Sequence, residues 1–176
     1  MIIIIKYIAL FAVFFVAMLA QASFLPYFNI LGTVPNIVFT LFFVMAFFES
    51  KKEPYEGFVT AVTAGFFLDI FVPSFFGVSI ISLLAVYYLQ KLITRVIKEP
   101  REKYSVYHFI PFFALGFVAY KAIMYGFSIL FEFPMNVGVH AAGELLFSIP
   151  FAVAGFYVYK IFFRSAERQE NQLKLL

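Results

Sequence analysis

The sequence contains no cysteine and little charge. The absence of cysteine among its 176 residues excludes disulfides, thiolate metal sites and cysteine nucleophiles. Charged residues make up 13% of the chain, against about 25% in a typical globular domain. The two histidines lack the paired spacing of a metal site, and no Gly-rich phosphate loop, HExxH or GxSxG pattern is present. These absences predict a protein that is not an enzyme and has no cofactor.

Apolar residues fill most of the sequence instead. Hydrophobic residues account for 64% of the chain, and the mean hydropathy is +0.95. At about 20 apolar residues per span, there is room for five or six membrane helices. The apolar runs predict an all-α integral membrane protein, a six-helix transmembrane bundle that forms a single domain over 1–163, with a cytoplasmic tail over 164–176. The predicted spans are 2–24, 35–49, 57–73, 78–94, 108–131 and 139–163.

The first two spans each leave an alternative open. Ala20-Gln21-Ala22 follows the first apolar run and resembles a signal-peptide cleavage site. The run exceeds the apolar core of about 7–15 residues found in signal peptides, which favours a retained helix. The second span is short at 1.5 Å per residue, so it is either flanked by buried irregular structure or placed where the membrane is thin.

Basic residues are distributed unequally between the two sides of the predicted bundle. If the N-terminus is cytoplasmic, all of the 13 lysines and arginines except Lys121 fall on the cytoplasmic side. The turns on the other side contain none of them. By the positive-inside rule, this asymmetry predicts a multi-pass protein with both termini in the cytoplasm.

The third span carries small residues and one carboxylate on a single face. Positions at i, i+4 spacing share one face of a helix; here they are Gly57, Ala61, Gly65, Asp69 and Pro73, with Ala64 beside them. A carboxylate at the bilayer centre costs about 2.5–3.5 kcal/mol on insertion scales, so Asp69 should face protein or water. We expect this span to be central, with the small residues serving as a helix-packing or partner interface. A direct role of Asp69 in partner or ligand binding is the alternative.

Three more ionisable residues lie within or at the edge of the last two spans. Lys121 falls in the fifth span, and His140 and Glu144 fall near the start of the sixth. With Asp69 they form the predicted set of buried polar residues, in which an Asp69–Lys121 pair has Glu144 nearby. Two alternatives remain: Lys121 snorkels or lines a water-filled cavity, and His140 lies at the outer surface.

A basic segment follows the fourth span. It holds Lys91, Arg95, Lys98, Arg101 and Lys103. Such a cytoplasmic basic surface attracts anionic lipids or a cytoplasmic partner, with about 1 kcal/mol per basic residue near the membrane. Ordinary positive-inside charge is the simpler explanation of the same pattern.

Two motifs in the first half of the chain resemble those of a known family. The block Gly57-x7-Gly65-x2-Leu68-Asp69-x4-Ser74-x2-Gly77, preceded by Gly32-x2-Pro35-Asn36, is similar to the rod shape-determining protein family MreD. Gly77, Pro35 and Asn36 therefore join the expected helix-packing or partner-interface residues. Beyond this part, the likeness is one of hydropathy and size.

The resemblance implies a non-enzymatic scaffold subunit of the bacterial cell-elongation (rod) complex, or elongasome, in the inner membrane. MreD-like proteins associate with MreC through its transmembrane helix, with MreB and with the RodA–transpeptidase wall synthase, and they support cell shape and the regulation of peptidoglycan synthesis. No nucleic-acid partner is expected. The fold is also expected to be similar to the S-components of ECF transporters, so the alternative function is a vitamin-like substrate-binding subunit of such a transporter.

Overall fold

The computed structural model describes residues 2–29, 32–49, 55–71, 75–96, 105–132 and 139–173. Within these residues the fold is all-helical, as the sequence predicts. The helices are α1 Ile2–Leu19, α2 Ile37–Phe47, α3 Glu56–Phe71, α4 Val78–Val96, α5 Val106–Leu130 and α6 Val139–Leu173. α1 continues through a π-helical turn, Ala20–Phe24, and a 3-10 turn, Leu25–Phe28.

Among the described residues, three helical stretches are long and apolar enough to cross a membrane. They are Ile4–Phe28, Val106–Leu130 and His140–Ile161, and Ile37–Phe47 and Val78–Thr94 are shorter apolar helices. α6 continues to Leu173, so most of the segment predicted as a tail is helical. Residues 174–176, like Pro73 and Ser74, lie outside the described residues.

α2 is the central helix of the fold. Eight of its 11 residues are buried, and it packs against every other helix. Large apolar side chains point in all directions around it, including Phe39, Phe42, Phe43 and Phe47, and a helix that is apolar all round is buried on all sides. The expectation that the third span is central therefore requires correction: α3 packs against α1, α2 and α4, beside the centre.

Aromatic rings from α2 and α5 form the middle of the core. The Phe39 ring lies 5.3 Å from that of Phe117 and 5.7 Å from that of Phe113, in edge-to-face geometry. Gly116 makes room for this packing, because a Cβ atom built on it would lie 2.3 Å from Cε2 of Phe43. The aromatic content of the two helices thus fixes their contact.

The small face of α3 packs against α4 inside the chain. A Cβ atom on Gly65 would lie 2.5 Å from Cα of Ile80, so the two backbones touch there. A Cβ atom on Gly57 would lie 2.3 Å from the Tyr87 ring. Ala61 and Ala64 are also fully buried. These small residues therefore lie in an internal helix–helix contact and are not available as a surface for a partner.

Irregular backbone precedes α2 and is itself buried. Thr33, Pro35 and Asn36 are all buried, and Gly32 adopts a positive φ of 75° where the chain turns. The short helix is thus flanked by buried irregular structure, the first of the two alternatives that its length left open.

Candidate functional site

Asp69 caps the helix that follows it. Its side chain is 6% exposed, and Oδ2 accepts a hydrogen bond from the Gly77 backbone N–H at 2.7 Å. Oδ1 accepts from the Ser79 backbone N–H at 2.8 Å. The carboxylate therefore lies at the positive end of the α4 dipole and satisfies N–H groups that have no partner within the helix. The predicted Asp69–Lys121 pair is wrong, because among the described residues the Lys121 ammonium pairs with Glu144 and forms no ion pair with Asp69.

Lys121 pairs with Glu144 instead. Nζ of Lys121 lies 2.5 Å from Oε2 of Glu144, and the two side chains are 18% and 19% exposed. The pair joins α5 to α6. The other oxygen of Glu144, Oε1, accepts a hydrogen bond from Nδ2 of Asn36 at 3.0 Å. Glu144 thus links α6 both to α5 and to the start of α2.

Asn36 is the N-cap of α2. Its Oδ1 accepts a hydrogen bond from the Phe39 N–H at 2.9 Å, and its own backbone N–H donates to Oγ of Ser148 at 2.9 Å. The Val38 N–H donates to Oε1 of Gln21, from the turn after α1, at 3.0 Å. Side chains of α1, α2 and α6 therefore satisfy the buried start of the central helix. From the sequence, Gln21 was considered only as part of a motif similar to a cleavage site, and Ser148 was not predicted as a site residue, because the sequence shows that they are polar but not which groups they contact.

An open cavity lies beside this polar network. Its volume is about 420 Å³, and its lining includes Gln21, Thr33, Pro35, Phe71, His140 and Glu144. His140 is exposed at this cavity, so it does not belong to the buried polar set. The cavity combines apolar walls with a carboxylate and an amide, as small-molecule sites do.

Glu49 plays the role of Asp69 at the opposite end of the bundle. It is 6% exposed, and its Oε1 accepts hydrogen bonds from the Gly57 N–H at 2.9 Å and the Tyr87 hydroxyl at 3.0 Å. Its Oε2 lies 3.6 Å from Nζ of Lys91. The predicted second span ends at Glu49, and this role was not predicted from the sequence. The spacing contains the signal, because Glu49 precedes Gly57 by the same interval as Asp69 precedes Gly77.

The predicted basic surface is only partly described. Nζ of Lys91 lies over the Tyr87 ring, 4.8 Å from its centroid, and forms an ion pair with Glu49. The side chain of Arg95 and the whole of Lys98, Arg101 and Lys103 lie outside the described residues. At the same end, Lys6 of α1 pairs with Glu56 of α3.

The described polar residues cap helices and connect them to one another. Asp69, Glu49 and Asn36 each cap the start of a helix, and Glu144 anchors one of these caps. Among the described residues, no three acidic or histidine side chains converge as a metal site requires. Comparison with protein-family models, with curated proteins and with solved structures finds no match to this chain.

Proposed function

We propose that the chain is a non-enzymatic membrane scaffold subunit of the bacterial rod complex, as its resemblance to MreD implies. The observation that carries this proposal is the use of the carboxylates. The carboxylate oxygens of Asp69 and Glu49 accept hydrogen bonds from backbone and side-chain donors of neighbouring helices. Groups held in this way stabilise a fixed arrangement of helices and are poorly placed to exchange protons with a substrate, so the polar residues suit a scaffold.

In this proposal the chain crosses the bacterial cytoplasmic membrane six times, with both termini inside. The described contacts fit alternating helix directions. Lys6 meets Glu56 and Glu49 meets Lys91 at one end, whereas Asn36 meets Glu144 at the other. The first end carries the basic residues and would face the cytoplasm. The short α2 would span the membrane together with the buried irregular segment that precedes it.

The exposed stripe on α6 is the surface that we propose for the transmembrane helix of MreC. Its residues recur at i, i+4 spacing and are all exposed: Ala142, Leu146, Pro150, Ala154 and Val158. In lipid, small side chains permit close helix approach and hence van der Waals packing. Ala142 begins the stripe and Ala154 follows its middle residue, Pro150, so a partner helix would come closest at these two positions. MreB and the RodA–transpeptidase synthase would join the same assembly.

Site-specific photocrosslinking in cells that make MreC tests this proposal. We expect a crosslinking amino acid at Leu146 or Val158 to capture MreC. The same amino acid at Ile81, which is exposed on α4, serves as the matched control and should not capture it. Depletion of the protein should also turn rod-shaped cells round. Equal capture from both helices would contradict the proposed surface, and unchanged rod shape would contradict the function.

The second candidate function is a substrate-binding subunit of an ECF-type transporter. The cavity beside Glu144 favours it, because its volume lies in the range of small-molecule sites, about 300–1,000 Å³. A thermal-shift screen with vitamins separates the two functions, since a ligand that binds only the folded protein raises the unfolding temperature. A vitamin-dependent shift without capture of MreC would support transport and contradict the scaffold.

A further inference from the structure

A second cavity opens between α1 and α6, at the end of the bundle that carries Lys6 and Glu49. α1 packs against α2 and α3, and α6 packs against α2 and α5, so α2 forms the floor between them. The cavity has a volume of about 280 Å³. An α-helix with its side chains is about 10–12 Å wide, so a single turn of about 5.4 Å fills roughly 500 Å³, more than this cavity holds. A single extended hydrocarbon chain has a suitable cross-section.

The lining of this cavity changes from charged to apolar along its length. Lys6 of α1 and Glu56 of α3 form an ion pair at one end, with side chains that are 47% and 23% exposed. The remainder is lined by Leu10, Val13 and Met45 together with side chains that carry a hydroxyl group, among them Thr60 and Tyr159. Lys6 and Val13 are seven residues apart on one helix, which corresponds to about 10 Å at 1.5 Å per residue. The cavity thus has one charged end and a mostly apolar body, and a phospholipid has a matching charged headgroup and apolar chains.

We propose that this cavity binds a phospholipid with a phosphoethanolamine headgroup, with one acyl chain between α1 and α6 and the headgroup at Lys6 and Glu56. The phosphate lies against the Lys6 ammonium and the lipid ammonium lies against the Glu56 carboxylate. An ammonium offers three N–H donors and a carboxylate two acceptor oxygens, so an ion pair of this kind also binds a zwitterion. The apolar lining of α1 and α2 takes up the chain.

The charges of the pair select among common headgroups. Phosphatidylglycerol has no cation for Glu56 and brings its phosphate close to a second negative charge. Phosphatidylcholine carries a cation without N–H donors, so it makes no hydrogen bond to the carboxylate. Phosphatidylethanolamine satisfies both partners. The proposal requires only that α1 and α6 contact lipid, and it does not depend on the scaffold function.

Lipid retention by the full-length protein tests this inference. The protein is reconstituted in nanodiscs with equal amounts of the three phospholipids, extracted in mild detergent and analysed by native mass spectrometry. We expect one retained phosphatidylethanolamine per chain, preferred over the other two lipids by about two- to fivefold, the range given by an exposed ion pair. Equal retention of all three lipids would overturn the headgroup assignment.

Matched variants locate the site. Val13→Trp fills the cavity from a half-exposed position and should abolish retention. Ile8→Trp adds the same ring at an exposed α1 position that does not line the cavity and should leave retention unchanged. Glu56→Gln should remove the preference for phosphatidylethanolamine over phosphatidylcholine. Circular dichroism confirms folding of each variant, and equal retention by the two Trp variants would overturn the inference.

Discussion

Glu49 and Asp69 stand in the same relationship to the glycine eight residues further along the chain. Each carboxylate lies at or just after the end of one helix and accepts a hydrogen bond from that glycine's backbone N–H, at 2.9 Å for Gly57 and 2.7 Å for Gly77. The acceptors lie at opposite ends of the bundle. Each carboxylate therefore connects one helix to the start of the next. Together they fix the positions of α2, α3 and α4 relative to one another.

Removing the Asp69 cap should destabilise the fold. We expect Asp69→Ala to lower the free energy of unfolding by about 2–4 kcal/mol, because two backbone N–H groups lose their partners at sites where desolvation is costly. Asp69→Asn keeps one acceptor oxygen and should cost less. Reversible unfolding in detergent measures both values. Glu132→Ala removes an exposed carboxylate and should change the value by less than about 0.5 kcal/mol. Equal effects at both positions would contradict the cap.

Lys121 and Glu144 should be coupled energetically. A double-mutant cycle with Lys121→Met and Glu144→Gln should give an interaction energy of about 1–3 kcal/mol, because each single change leaves the other charge partly buried without its partner. The cycle of Lys121→Met with Asp69→Asn should be additive within about 0.5 kcal/mol. Coupling to Asp69 in place of Glu144 would show that the pairing differs from the one described.

Two glycines in long helices should respond to alanine in opposite directions. Gly65→Ala places a methyl group 2.5 Å from the Ile80 backbone, and such overpacking costs about 1–3 kcal/mol. Gly126→Ala meets open space and should stabilise α5 by about 0.5–1 kcal/mol, because alanine favours the helix. Thermal unfolding of the two variants measures the difference. Destabilisation of similar size at both positions would contradict the close contact of α3 and α4.

The Tyr87 hydroxyl should contribute to stability, whereas that of its neighbour should not. Tyr87→Phe removes the hydrogen bond to Glu49 and should cost about 1 kcal/mol. Tyr88, which is 56% exposed, provides the matched control, and Tyr88→Phe should have an effect near zero. Equal unfolding temperatures for the two variants would show that the hydrogen bond from Tyr87 to Glu49 does not stabilise the fold.

The sequence predicts where the helices begin and end better than it predicts which helices pack against one another. The apolar runs locate the helices to within a few residues, except for the end of α6, which lies ten residues beyond the predicted span. The spacing of Gly57, Ala61 and Gly65 indicates a packing face that the structure does bury. The central position of α2 did not follow from the same reasoning. The phenylalanine-rich run of α2 predicts a helix, but its place among the other helices depends on how all of them assemble.

For the polar residues, too, the sequence predicts one part and the tertiary structure decides another. The sequence by itself determined that Asp69, Lys121 and Glu144 are charges in apolar surroundings and must find partners, because an isolated ion is costly there. Only the tertiary structure decided which partners they have. Lys121 pairs with Glu144, whereas Asp69 accepts hydrogen bonds from two backbone N–H groups. Nearly every residue carries such a donor, so no pattern of side chains marks the ones that a fold leaves at a helix start, within reach of a carboxylate.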